Sequence, residues 1–108
     1  YIHVEDLAAA HLTALEHLAA GGDSSNQNCG YGRGYSVLEV LEMVRQVSGK
    51  HFEIREAGRR AGASACLVSD NRAIREQLGW KPQYDDLEII CSTAFQWERA
   101  GLDRAMRI

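Results

Sequence analysis

Proline, cysteine and long apolar runs are all scarce in this chain of 108 residues. A single proline among 45% apolar and 25% charged residues excludes a disordered or fibrous polypeptide and is typical of a globular protein. The length predicts one domain over residues 1–108. No apolar run approaches the roughly 20 residues that cross a bilayer, and the N-terminus carries no signal-peptide pattern. We therefore expect a cytoplasmic protein that does not bind membranes.

Metal-ligating side chains are few and scattered. Cys29, Cys66 and Cys91 are odd in number and widely spaced, which excludes a complete disulfide framework and a zinc cluster and fits a reducing compartment. The four histidines form no ligand grouping, so no metal site is predicted.

Recognisable catalytic and cofactor motifs are missing as well. The dinucleotide fingerprint G-x-G-x-x-G is absent, because Gly30, Gly32 and Gly34 follow another spacing. There is no Tyr-x-x-x-Lys pair and no arrangement typical of a Ser-His-Asp triad. The sequence therefore predicts no catalytic residue and no cofactor-binding residue, and it argues against an enzyme that is active alone.

Charge is distributed unevenly along the chain. The net charge of −3 gives no overall field that would attract nucleic acid, so no nucleic-acid partner is expected. Residues 50–75, in contrast, hold six basic and three acidic side chains, a net charge of +3. This segment is either a solvated surface or a site for a small anion. It contains Arg59-Arg60-Ala61-Gly62, where two guanidinium groups beside a glycine suit a diphosphate.

Apolar periodicity and capping residues predict four helices. The first directs Leu7, Leu15 and Leu18 towards a core, and the wide apolar surface of the fourth suggests burial on two sides. The second begins with a capping box in which Ser36 pairs with Glu39. The predicted helices are residues 5–20, a segment from the Ser36 cap to Gly49, a segment from a Ser69 or Asp70 cap to Gly79, and a helix starting at Asp85-Asp86.

Short apolar or alternating segments predict two or three strands, at residues 1–4, 26–29 and 52–55. The predicted class is α/β, or α+β-like if the chain is a fragment, with about four helices. So few strands cannot form a self-sufficient parallel sheet, so either the helices carry the core or part of the sheet is missing. The glycine-rich loop at residues 30–34 is interpreted as a structural turn, with a phosphate cradle as the alternative.

Five segments occur in an order that identifies a family. They are YIHVEDLAAAH, then QNCGYG with SVLEVLE, then GRRAG, then SDNRAIREQLGWKP, and finally DDLEIICSTAFQW. Together they resemble the C-terminal, substrate-side portion of NAD-dependent nucleotide-sugar epimerases, most closely UDP-glucose 4-epimerase, in the extended short-chain dehydrogenase/reductase group. The resemblance implies part of an extended Rossmann-type epimerase fold that lacks its dinucleotide-binding half.

The resemblance also assigns roles to individual residues. Family members bind NAD on an N-terminal Rossmann domain whose Tyr-x-x-x-Lys pair transfers protons, so no cofactor is expected for this chain itself. On the substrate side, Arg60 and its neighbour Arg59 correspond to positions that bind the diphosphate of a UDP-sugar. Leu67 corresponds to a position beside the sugar's 2-substituent, and Tyr1 to a further contact. Ala63 stands where the family motif has an aspartate that holds the ribose.

Three functions are compatible with this resemblance. The favoured one is a substrate-side fragment or domain of a UDP-glucose 4-epimerase-like isomerase, without catalysis of its own. The alternatives are a binding module for nucleotide sugars or other phosphate ligands, and one half of a two-chain NAD-dependent epimerase. The expected partners are a UDP-sugar and either a second copy, joined through exposed apolar faces, or a Rossmann domain.

Overall fold

The computed structural model describes residues 1–107, which form four helices. They are α1 (Val4–Ala19), α2 (Val37–Ser48), α3 (Arg72–Leu78) and α4 (Leu87–Ala105). The chain divides into two compact units, the first made of residues 1–34 and 67–85 and the second of residues 35–66 and 86 onward. The prediction of one domain over residues 1–108 stays a prediction, and Ile108 lies outside the described residues.

The predicted strands are wrong. Within residues 1–107, segments 1–3, 26–29 and 52–55 are not in strands, and residue 4 already belongs to α1. A strand is defined by hydrogen bonds to a neighbouring strand, and the described residues supply no such neighbour. The alternating pattern at 52–55 nevertheless matches the exposure, because Phe52 and Ile54 are half-buried whereas Glu53 and Arg55 are exposed.

The first unit is built around Trp80, whose side chain is 2% exposed. Ala10 of α1 and Ile74 of α3 complete the buried cluster. The predicted inward stripe of α1 is wrong, because Leu15 is 63% and Leu18 is 50% exposed. Asp6 and Ala10 are the buried residues of α1 instead, since the helix is apolar around most of its circumference and periodicity alone does not select one face.

The second unit consists mainly of α2 packed against α4. The predicted Ser36 cap of α2 is confirmed, because the Ser36 hydroxyl accepts a hydrogen bond from the Glu39 amide at 3.1 Å. Gly49 ends the helix in the left-handed region at φ 65°. In α4, Leu87 and Cys91 are buried. The expected burial of α4 on two sides is wrong within the described chain, where Trp97 is 68% exposed.

The start of α3 differs from the prediction. The N-cap position belongs to Asn71, whose side chain makes no cap bond, rather than to Ser69 or Asp70. The Asp70 carboxylate still accepts a hydrogen bond from the Arg72 amide at 3.1 Å. The Asn71 side chain instead packs against residue 30, where its Nδ2 donates to the buried Gly30 carbonyl oxygen at 2.8 Å. Over residues 1–107, no helix combines the length and apolarity that crossing a bilayer requires.

Candidate functional site

The predicted diphosphate-binding arginines lie on an exposed turn of the second unit. The Ala63 amide donates to the Arg60 carbonyl oxygen at 3.3 Å, which closes the turn. Gly62 adopts φ 79°, a conformation that residues with a side chain rarely take. Arg59 and Arg60 are both exposed. The backbone geometry therefore presents two adjacent guanidinium groups to solvent.

Within residues 1–107, no side chain neutralises the two guanidinium groups of this turn. The nearby Arg55 is bound to Glu53 at 3.0 Å. By contrast, neither Arg59 nor Arg60 has a side-chain hydrogen bond or ion pair with any other residue in the range 1–107. Two unpaired cations on neighbouring residues can bind the two phosphate groups of a diphosphate through charge-assisted hydrogen bonds.

The predicted sugar contacts belong to the first unit. Leu67 is 89% exposed. Tyr1 is 60% exposed and precedes Ile2, which packs against the buried cluster. Both side chains are accessible to a ligand.

The glycine-rich loop at residues 30–34 does not fit a dinucleotide phosphate. A Cβ atom at Gly30 would lie 2.5 Å from Ser69 Cβ, and one at Gly34 would lie 2.8 Å from Val68 Cγ2. The missing side chains of these glycines let Val68 and Ser69 pack against the loop. The N-terminus of α2, which follows the loop, is already capped by the Ser36 hydroxyl. The loop itself therefore leaves no room for a phosphate, and its interpretation as a structural turn agrees with its packing.

A buried polar centre around Asp6 was not predicted from the sequence. Asp6 is 1% exposed, and its carboxylate accepts hydrogen bonds from the Tyr31 hydroxyl at 2.6 Å and from the amides of Gln83 and Tyr84 at 2.9 Å each. Its backbone carbonyl oxygen accepts from the Trp80 indole at 3.0 Å. One residue of α1 thereby fixes the loop on both sides of Pro82.

The titration of this centre follows from its contacts. Burial alone raises the pKa of Asp6, but the hydrogen bonds from Tyr31, Gln83 and Tyr84 and the charge of His3 outweigh it, so the net pKa is lowered. Burial and the bond to Asp6 raise the pKa of Tyr31. Asp6 is thus held as a carboxylate and Tyr31 as a neutral phenol. The centre is built for stability, since each of its polar atoms already has a partner within the fold.

The sequence signal for this centre was weak. In the sequence, Asp6 is only an acidic residue in the first turn of a helix, a position that the helix dipole favours. Its partners lie 25, 77 and 78 residues away along the chain. No local pattern reports contacts at such separations.

Several known proteins are similar to this chain. No family model matches the chain. A UDP-glucose 4-epimerase from Azospirillum brasilense is 51% identical over 93% of this chain and 29% of its own length. Two solved structures agree in fold. The UDP-Glc/GlcNAc 4-epimerase of Campylobacter jejuni has a TM-score of 0.80 at 48% identity, over 93% of this chain and 30% of that one. A UDP-glucose-4-epimerase from Stenotrophomonas maltophila, with bound NAD and formylated UDP-arabinopyranose, has a TM-score of 0.86 at 37% identity. The match covers 97% of this chain and 31% of that one.

These similarities relate the chain to the nucleotide-sugar epimerases. In sequence and in fold it corresponds to the C-terminal portion of the UDP-glucose 4-epimerases. It spans about 30% of the length of the relatives it matches. The identification made from the five sequence segments is thus confirmed, whereas the roles of Arg59, Arg60, Leu67 and Tyr1 stay predictions.

Proposed function

We propose that this chain is the substrate-side portion of a UDP-sugar 4-epimerase and that it is not catalytic by itself. In this proposal Arg59 and Arg60 bind the diphosphate, while Leu67 and Tyr1 contact the sugar. The observation that carries the proposal is the pair of adjacent, exposed arginines without partners in the described chain, in a sequence similar to UDP-glucose 4-epimerases.

Electrostatics supports a small phosphate ligand over the alternative of a solvated surface. Arg55 shows how a solvated arginine behaves in this segment, since it pairs with Glu53 two residues away. Arg59 and Arg60 leave two positive charges on consecutive exposed residues instead, and an anion would neutralise them. A diphosphate offers oxygens for both guanidinium groups at once, and this geometry is better suited to arginine than to lysine.

The chemistry of epimerisation is assigned to residues outside this chain. A relative of known structure contains NAD, which is the group that accepts and returns a hydride in this type of reaction. Because the glycine-rich loop leaves no room for the phosphates of NAD, we propose that a Rossmann portion supplies the cofactor site. Cys29, Cys66 and Cys91 are all free, which is compatible with the cytoplasm because that compartment keeps thiols reduced.

The outer face of α1 supports a need for a partner. Val4, Leu12 and Leu15 are 71%, 61% and 63% exposed, and a helix that is apolar on this face normally packs against further protein. Two partners fit the proposal: a Rossmann portion, in the same or a separate chain, or a second copy in a homodimer. Sedimentation of the pure chain separates them, because a homodimer forms without any added protein.

Calorimetry with UDP tests the proposed binding role. We expect weak binding that becomes weaker when salt screens the charges, and a loss of affinity of about tenfold or more in Arg60→Ala. Arg99→Ala is the matched control, because Arg99 is also exposed and without a side-chain partner within residues 1–107 but lies on α4. Absence of binding at millimolar UDP, or equal losses in the two variants, would contradict the proposal.

A further inference from the structure

We propose that Gly30 is a positioning residue for Leu67 and acts through the segment of residues 68–71. This inference rests on the proposed function, in which Leu67 lies beside the sugar. It gives the glycine-rich loop, which offers no phosphate cradle, a role in selecting the substrate. The role follows from how closely the loop and this segment pack.

Gly30 is buried against Ser69 with no space for a side chain. A Cβ atom at position 30 would lie 2.5 Å from Ser69 Cβ and 3.0 Å from Ser69 Oγ. Non-bonded carbon atoms pack at about 3.5–4.0 Å, so an alanine at position 30 would displace Ser69 by about 1 Å. The nearest atom is Ser69 Cβ, which cannot move away without its backbone. The displacement is therefore passed along the chain to Leu67, two residues earlier.

Two more contacts attach the same segment to the loop. The buried Asn71 amide group donates to the Gly30 carbonyl oxygen at 2.8 Å. A Cβ atom at Gly34 would lie 2.8 Å from Val68 Cγ2. The loop thus contacts the segment of residues 68–71 at Val68, Ser69 and Asn71. Ser69 Oγ is buried without a hydrogen-bond partner within residues 1–107. Ser69 therefore packs closely against Gly30 even though its hydroxyl forms no hydrogen bond there.

Leu67 depends on these contacts because it makes little packing of its own. With 89% of its surface exposed, its side chain is not fixed by a core. Its position relative to a ligand is set by the backbone that follows it, and that backbone is held by the glycine-rich loop. A shift of this size is enough to lose an apolar contact with a sugar, and we expect the preference for UDP-glucose over UDP to fall about five- to tenfold.

A double-mutant cycle tests the inference. The affinities for UDP and UDP-glucose are measured for the wild-type chain, Gly30→Ala, Leu67→Ala and the double variant. If Gly30 acts through Leu67, each single variant lowers the preference for UDP-glucose and the double variant lowers it no further. Gly101→Ala is the control, because a Cβ atom there meets nothing within 4 Å. Adding Ser69→Gly to Gly30→Ala removes the colliding atoms and should restore the preference.

A direct structural readout accompanies the binding data. The Leu67 methyl resonances should move in Gly30→Ala, stay in place in Gly101→Ala and return when Ser69→Gly is added. Additive effects in the cycle, or Leu67 methyl resonances that do not move, would overturn the inference. If the wild-type chain does not bind UDP, the diphosphate role of the arginines is contradicted instead. The Leu67 methyl resonances then test the positioning role of Gly30 by themselves.

Discussion

Replacing Asp6 should cost a large share of the stability of the first unit. Asp6→Ala removes the acceptor for three donors, namely the Tyr31 hydroxyl and the amides of Gln83 and Tyr84. Hydrogen bonds to a charged group contribute about 1.5–3 kcal/mol each, and donors left buried without a partner cost a similar amount. Because Gln83 is exposed and Tyr84 is half-buried, water replaces part of what is lost. We therefore expect a loss of about 4 kcal/mol in the free energy of unfolding.

This loss is large compared with the whole stability of a chain of this size. A protein of 108 residues is stabilised by roughly 5–15 kcal/mol in total, so Asp6→Ala should leave the fold marginal. Asp6→Asn keeps the shape of the side chain but turns one acceptor into a donor that faces other donors. We expect it to lose about half as much, which keeps the effect measurable even if Asp6→Ala does not fold.

Urea unfolding followed by tryptophan fluorescence measures the effect. Trp80 is buried and donates its indole N–H to the Asp6 carbonyl oxygen, so its emission reports on this centre. Trp97 is 68% exposed, and Trp97→Phe removes its signal from all variants. Asp23→Ala, at an exposed position of the same unit, serves as the control. If Asp6→Ala loses less than about 1 kcal/mol, or no more than Asp23→Ala, the account of the buried centre is wrong.

Two further predictions concern pH and ribose binding. Because the net pKa of Asp6 is lowered in the fold, its stabilisation should be complete above the unfolded pKa of about 4 and be lost as the pH falls through the folded value. Urea titrations between pH 7 and pH 2.5 should therefore show a smaller acid loss in Asp6→Asn than in the wild type, and equal losses would refute this. Ala63→Asp restores the acceptor that the family motif has at this position, and UDP affinity measured by calorimetry should rise about tenfold. Ala61→Asp adds the same charge to the same turn, so an equal effect of both variants would contradict a specific contact with the ribose.

The helices could largely be predicted from local sequence. Ser36 and Gly49 bound α2 as expected, and Asp86 caps α4 through bonds to the amides of Glu88 and Ile89. Local signals suffice here because capping satisfies amides only two or three residues away. The predicted strands are wrong because a strand depends on a distant part of the chain. It requires a neighbouring strand, which the described residues do not provide.

The cluster of arginines could be predicted from the sequence, whereas contacts between residues far apart in the chain could not. The Arg59–Arg60 pair stands out as a local cluster of charge, and the structure places it on an exposed turn. The Asp6 centre could not be found in this way, because one acidic residue at the start of a helix resembles many others. The contact between Gly30 and Ser69 could not be predicted either, because the two residues are 39 positions apart and no local pattern indicates that they meet.

The most direct test of the substrate-side role is a hybrid enzyme. The C-terminal portion of the Stenotrophomonas maltophila epimerase, whose structure contains NAD, is replaced by this chain, which covers 31% of it. If the chain has the substrate-side role, we expect the hybrid to interconvert UDP-glucose and its C4 epimer, and we expect Arg60→Ala but not Arg99→Ala to lower its activity at least tenfold. A folded hybrid with bound NAD that is inactive, or one that is indifferent to Arg60→Ala, would contradict it.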